Sequence, residues 1–135
     1  MVNREKRAIA RRLVQQLVAG AITNDDFEDG YPRDRNDPAL NGIYWQLWLL
    51  WNDSYTHTLP GDHSPKGETI VTLNRCTAFL GSDLEYKWPP GGSHSFKAIL
   101  CKTFGFKRLF EAEVKQELER LSKIGNFNAW PFLNE

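Results

Sequence analysis

The chain has 135 residues, a length typical of one compact domain, so we predict a single globular domain over 1–135. Seventeen basic residues balance seventeen acidic ones, and the zero net charge argues against a general nucleic-acid or membrane-surface protein. No secretory signal is visible, and the central apolar run is too short to span a bilayer, so we expect a cytoplasmic protein. Cys76 and Cys101 lack close spacing and are expected to be reduced, buried thiols.

The first predicted helix covers residues 3–19. Ile9, Ala10, Leu13 and Leu17 recur at helical spacing and are flanked by Val14, and Gly20 can adopt the left-handed conformation that ends a helix. Five bases against one acid, Glu5, give the segment a net charge of +4: Arg4, Lys6, Arg7, Arg11 and Arg12. We interpret these bases as a solvated helix face, with a phosphate-binding or acidic-partner patch as the alternative.

A second, short helix is predicted after Ile22. Thr23 is placed as the N-cap, and Asp26 follows at the third position of a capping box. Six acids against two bases give residues 23–37 a net charge of −4; the acids are Asp25, Asp26, Glu28, Asp29, Asp34 and Asp37. Their spacing lacks the glycine and final glutamate of a calcium loop, which argues against a metal site. Helix capping and solvation explain most of them, with a protein-binding rim as the alternative.

The central helix is predicted over Leu40–Trp51, a stretch that holds three of the five tryptophans. Asp37 and Pro38 before it are typical of a helix start. Because this helix is apolar on nearly all sides, we expect it to be buried in the middle of the domain. Trp45 points away from its broad apolar face and is a candidate contact for a partner.

The polar loop over residues 54–67 is where potential metal or acid–base groups crowd together. His57, Asp62 and His63 lie there, with Glu68 just beyond. A zinc site or an active site needs its groups on a rigid frame, whereas glycine and proline flank these residues. We therefore expect surface histidines, no metal and no catalytic residue.

The rest of the chain is predicted to add helices and two short strands. Helices are expected over 68–80, 96–104 and 106–124, and residues 84–88 alternate as a strand does. Residues 127–130 precede a second Trp-Pro dipeptide and are predicted to pair with 84–88. The predicted fold is mainly α (α+β): about five helices around a central Trp-rich helix, with a small two-stranded antiparallel sheet.

Five short motifs occur along the chain in an order that resembles that of a known group of proteins. They are Ile22–Asp29 (ITNDDFED), Asp37–Leu40 (DPAL), Arg75–Leu80 (RCTAFL), Asp83–Pro89 (DLEYKWP) and Trp130–Phe132 (WPF). This pattern resembles a group of small uncharacterised bacterial proteins over most of the chain. The resemblance implies a bacterial origin and no particular activity, cofactor or catalytic residue.

The function favoured by the sequence is non-catalytic protein binding, for example by an immunity protein or antitoxin that blocks a basic toxin domain. Aromatic residues beside acidic groups are typical of interface hot spots. The speculative partner-binding residues are Asp25, Asp26, Glu28, Asp29 and Trp45. One alternative is a small hydrolase or nuclease that uses His57, Asp62 and His63. Another, less favoured, is a regulatory nucleic-acid-binding protein that uses the Arg-rich first helix. No cofactor is expected.

Overall fold

The computed structural model describes residues 1–48, 56, 58, 68–88, 119–120, 122–126 and 129–134, with the backbone alone for 68–69. Within these ranges the chain is mainly helical, as predicted. It forms four helices: α1 (Arg4–Val18), α2 (Asn24–Gly30), α3 (Pro38–Trp48) and α4 (Glu68–Leu80). None of the helices found in these ranges combines the length and the apolar character that crossing a membrane requires.

The ends of α1 and α2 follow the local signals in the sequence. Gly20 has a φ of 74°, the left-handed conformation predicted for it after α1. Thr23 accepts a hydrogen bond from the backbone N–H of Asp26, and the Asp26 carboxylate accepts one from Thr23. The predicted capping box is therefore confirmed.

The buried face of α1 is rotated relative to the predicted one. Its buried residues are Arg7, Ala10, Val14 and Leu17, whereas Ile9 and Leu13 are half-buried. Arg7 continues this face one turn toward the N-terminus, since residues three and seven apart lie on one side of a helix. The prediction that Arg7 belongs to a solvated face is wrong.

Helix α3 is buried along most of its length and packs against α4. Leu40, Ile43 and Leu47 are at most 1% exposed, in agreement with the predicted central position of this helix. Gly42 lets the chain from the end of α4 come close: a Cβ on Gly42 would lie 2.7 Å from the Tyr86 ring. Tyr86 therefore packs directly on the α3 backbone. Residues 49–51 lie outside the described ranges.

The predicted two-stranded sheet is not confirmed. In the described ranges neither 84–88 nor 129–130 is a strand, and residues 129–132 turn, with Phe132 N–H donating to the Ala129 carbonyl at 2.9 Å. The two segments meet through side chains instead: the Trp130 indole N–H donates to the Tyr86 hydroxyl, and the Trp88 indole N–H to the Phe132 carbonyl, both at 3.1 Å. Most of the helices expected over 96–104 and 106–124 falls outside the described ranges, so the fifth helix is not confirmed.

Candidate partner-binding surface

A buried ion pair between α1 and the start of α3 removes one basic and one acidic residue from the surface. Arg7 is 1% exposed and Asp37 is fully buried. Arg7 Nε and Nη2 donate to the two carboxylate oxygens at 2.7 and 2.8 Å, which is the bidentate geometry of a strong pair. Arg7 Nη1 donates to the carbonyls of Ser82 and Leu84, at 3.1 and 2.9 Å. Asp37, expected in an acidic surface cluster, is therefore a core residue.

The Asp37 carboxylate keeps its charge in this environment. Burial by itself raises the pKa of Asp37, but hydrogen bonds from Arg7 and from the backbone of Asn3 and Ala39, with the Arg7 charge, outweigh it and lower that pKa. The bonds from Asn3 and Ala39 hold the start of α1 and the first turn of α3. The guanidinium carbon of Arg7 also lies 5.2 Å from the Phe79 ring centroid, so the pair connects three helices.

Two further bases of α1 are paired at the surface. Arg4 makes a bidentate contact with Asp83, at 2.7 and 2.6 Å. Lys6 lies 3.4 Å from a carboxylate oxygen of Asp34, and hydrogen bonds from Asn36 and Asn3 help to lower the pKa of Asp34. The basic first helix and the acidic segment thus neutralise each other in part.

Of the six acids in residues 23–37, the exposed ones lie on α2. Asp25, Asp26 and Asp29 are exposed, Glu28 is half-buried, and Phe27 faces the core between them. Asp26 is occupied as the cap of its own helix, and Asp25 accepts a hydrogen bond from the Thr56 hydroxyl. The Asp29 side chain has no ion pair or hydrogen bond in the described part of the chain. We name Asp25, Asp26, Glu28 and Asp29 the acidic edge.

Aromatic rings connect the acidic edge to the outer end of α3. The Phe27 and Tyr44 rings are stacked with centroids 6.4 Å apart, and Tyr44 meets Trp45 edge-on at 5.5 Å. Trp48 follows Trp45 at 5.9 Å, and both tryptophans are half-buried. Trp45 therefore packs partly on the core and keeps part of its side chain accessible to solvent. A surface with anchored tryptophan and adjacent carboxylates can bind a basic protein.

The residues considered for catalysis, metal binding or thiol chemistry are either outside the described ranges or buried. His57, Asp62 and His63 lie outside the described ranges, as does Cys101, and inside those ranges no three His, Cys, Asp or Glu side chains are placed to hold a metal ion. The Cys76 thiol is fully buried, and burial raises its pKa, so it stays protonated and unreactive at neutral pH.

Besides Arg7 and Asp37, sequence reasoning missed a buried polar side chain of α3. The Gln46 side chain is fully buried in α3, and within the described residues neither its nitrogen nor its oxygen has a hydrogen-bond partner. Such a group destabilises the fold, because the free energy needed to remove it from water is not offset by new hydrogen bonds. Its polarity in an otherwise apolar helix was the only signal in the sequence.

Comparison of the chain with protein-family models, with curated proteins and with solved structures finds no match. The resemblance to small bacterial proteins therefore stays a prediction.

Proposed function

We propose that this chain is a non-catalytic protein that binds a basic protein partner through the acidic edge and Trp45. An immunity-type or antitoxin-type inhibitor of a basic toxin domain is the form of this function that we favour. The observation that supports the proposal is the aromatic series from Phe27 through Tyr44 to Trp45, which links a half-buried indole on α3 to the helix that carries the exposed carboxylates.

The combination suits binding for two physical reasons. Trp45 is already held by Tyr44 and Trp48, so ordering it on association costs little side-chain entropy. Carboxylates at its side attract a basic partner over a Debye length of about 8–10 Å, which accelerates encounter and makes the rate depend on salt. A partner whose own substrate is anionic, such as a nucleic-acid-cleaving toxin, would carry the complementary charge.

Nucleic-acid binding by the first helix has weaker support. Arg7 is buried with Asp37, Arg4 is bound to Asp83, and Lys6 lies beside Asp34. Two of the five bases therefore remain for phosphates, fewer than a binding helix commonly uses. For the hydrolase alternative built on His57, Asp62 and His63, no feature of the described residues provides support.

The experiment captures binding proteins with the full chain from lysate of its source organism and then measures the affinity of each captured protein. The key variant is Asp25→Asn with Asp29→Asn, which removes two charges without touching the capping box. We expect a weaker affinity, a slower association rate and a smaller salt dependence. Trp45→Phe should weaken binding mainly through faster dissociation, because it shortens the anchor.

The matched control is Glu5→Gln with Glu119→Gln, which removes two exposed acids outside the acidic edge. These variants should bind as the wild type does. The proposal is refuted if the Asp25 and Asp29 variant keeps the wild-type affinity and salt dependence, or if the control loses as much. Circular dichroism of each variant establishes that the helices are retained.

A further inference from the structure

A cleft of about 610 Å³ lies between α1 and the end of α4, apart from the acidic edge. The residues relevant to its chemistry are Arg4, Arg11, Arg12, Gln15, Gly81 and Asp83. Three arginines against one aspartate give these walls a net charge of +2. The volume is within the range of about 300–1,000 Å³ that small-molecule sites occupy.

The four charged groups have different roles. Arg4 is held by Asp83 in a bidentate contact, so its guanidinium is largely committed. Arg12 has no ion pair or side-chain hydrogen bond among the described residues. It is exposed to solvent and lines the cleft. Arg11 is likewise without an acidic partner there, which leaves two guanidinium groups for an anion.

Arg11 is positioned by the backbone at the end of α4. A Cβ on Gly81 would lie 3.1 Å from the guanidinium carbon and Nη1 of Arg11, so the missing side chain makes room for the guanidinium group. The last turn of α4 contains no basic residue, and the negative end of its helix dipole attracts the Arg11 charge. This contact holds the Arg11 side chain at one wall of the cleft. It does not position Arg12, which is the next residue along α1.

We propose that this cleft binds a small anion with two or more phosphate or carboxylate charges, held by Arg11 and Arg12. The planar guanidinium group donates two parallel hydrogen bonds to either kind of oxyanion. The amide of Gln15 adds a neutral donor. Few apolar side chains line the cleft, so charge and hydrogen bonding supply the recognition rather than ring stacking.

Isothermal titration calorimetry of the full chain with pyrophosphate and with citrate tests this site. We expect saturable binding of at least one of them at a single site. Pyrophosphate alone would identify phosphate as the preferred group, and citrate alone would identify carboxylate. Arg11→Gln and Arg12→Gln should each lower the affinity by about tenfold or more, since each removes charge-assisted hydrogen bonds.

Arg35→Gln is the matched control, because it removes the same charge from an exposed position outside the cleft. It should change the affinity by less than about twofold, the scale of a screened distant charge. Gly81→Ala keeps every charge and makes the Arg11 guanidinium group move by only a few tenths of an ångström, so it should lower the affinity less than Arg11→Gln does.

The absence of saturable binding with both probes would overturn the proposal, as would an equal loss of affinity in Arg35→Gln. Unchanged affinity in Arg11→Gln would overturn the role given to Arg11. Circular dichroism checks that each variant is folded.

Discussion

Replacing Asp37 with Ala should lower the free energy of unfolding by about 3–5 kcal/mol, the usual effect of leaving one member of a buried ion pair alone. Arg7 would keep the carbonyls of Ser82 and Leu84 but lose both contacts to the carboxylate. Because Arg7 is 1% exposed, water cannot replace them without opening the core. Asn3 N–H, now 3.0 Å from the carboxylate, would lose its acceptor as well.

A double-mutant cycle measured by urea unfolding isolates the pair. Arg7→Leu should be strongly destabilising because it leaves a buried carboxylate, whereas Arg7→Leu with Asp37→Ala removes both charges. The double variant should therefore be less destabilised than the sum of the single variants, by about 2–3 kcal/mol. The melting temperature of Asp37→Ala should fall by about 10–20 °C for a domain of this size.

Asp83→Ala is the control, since it breaks the exposed pair with Arg4 and should have a much smaller effect. Additive effects in the cycle would show that Arg7 and Asp37 do not stabilise each other. An Asp37→Ala variant that unfolds within about 1 kcal/mol of the wild type would refute the assignment of this pair as the link between α1 and α3.

Three further outcomes are expected from unfolding measurements. Because the pKa of Asp37 is lowered in the folded state, its charged form stabilises the fold above the ordinary pKa of about 3.9, and this stabilisation is lost as pH falls through the folded-state pKa. Below about pH 4 the wild type should therefore lose stability more steeply than Asp37→Asn. Gln46→Met should raise the free energy of unfolding by about 1–3 kcal/mol, because it removes a buried amide that has no hydrogen-bond partner among the described residues. Gln46→Glu should lower the free energy of unfolding, and a stability loss in the Met variant would contradict this account. Gly42→Ala should be destabilising by about 1–3 kcal/mol, because the added Cβ would collide with the buried Tyr86 ring. Gly30→Ala should be neutral or stabilising, because its Cβ would lie at an ordinary contact distance of 3.4 Å from a side chain. Equal effects of the two substitutions would argue against close packing at Gly42.

Local signals account for the parts of the fold that sequence reasoning predicted. The cap at Thr23 and the left-handed Gly20 depend on residues within one helical turn, so their pattern is visible without tertiary structure. The α3 helix was predicted for a similar reason, since a run of apolar residues after Asp37 and Pro38 indicates a buried helix. These features also bring the acidic edge and Trp45 to neighbouring helices.

Long-range pairs account for what was missed. Arg7 and Asp37 are 30 residues apart, and counting charges along each segment placed both at the surface. One signal was available: Arg7 shares a helix face with Ala10, Val14 and Leu17, so a charged residue continued an apolar stripe. The contact of residues 84–88 with residues 127–130 is predicted as a sheet, because alternation in sequence does not reveal that indole N–H groups, rather than backbone groups, make the bonds.

The charges assigned to the two proposed surfaces have opposite signs, although the whole chain has a net charge of zero. Asp25 and Asp29 remain on α2, whereas Arg11 and Arg12 remain on α1, and the two sets share no residue. If they serve different ligands, Asp29→Asn should weaken the protein partner without changing pyrophosphate or citrate binding, and Arg12→Gln should do the reverse. Measuring both ligands with both variants at one ionic strength tests this separation, because screening is then the same in every arm. Loss of both ligands in either variant would mean that the two surfaces act as one, and the separate roles proposed for them would have to be abandoned.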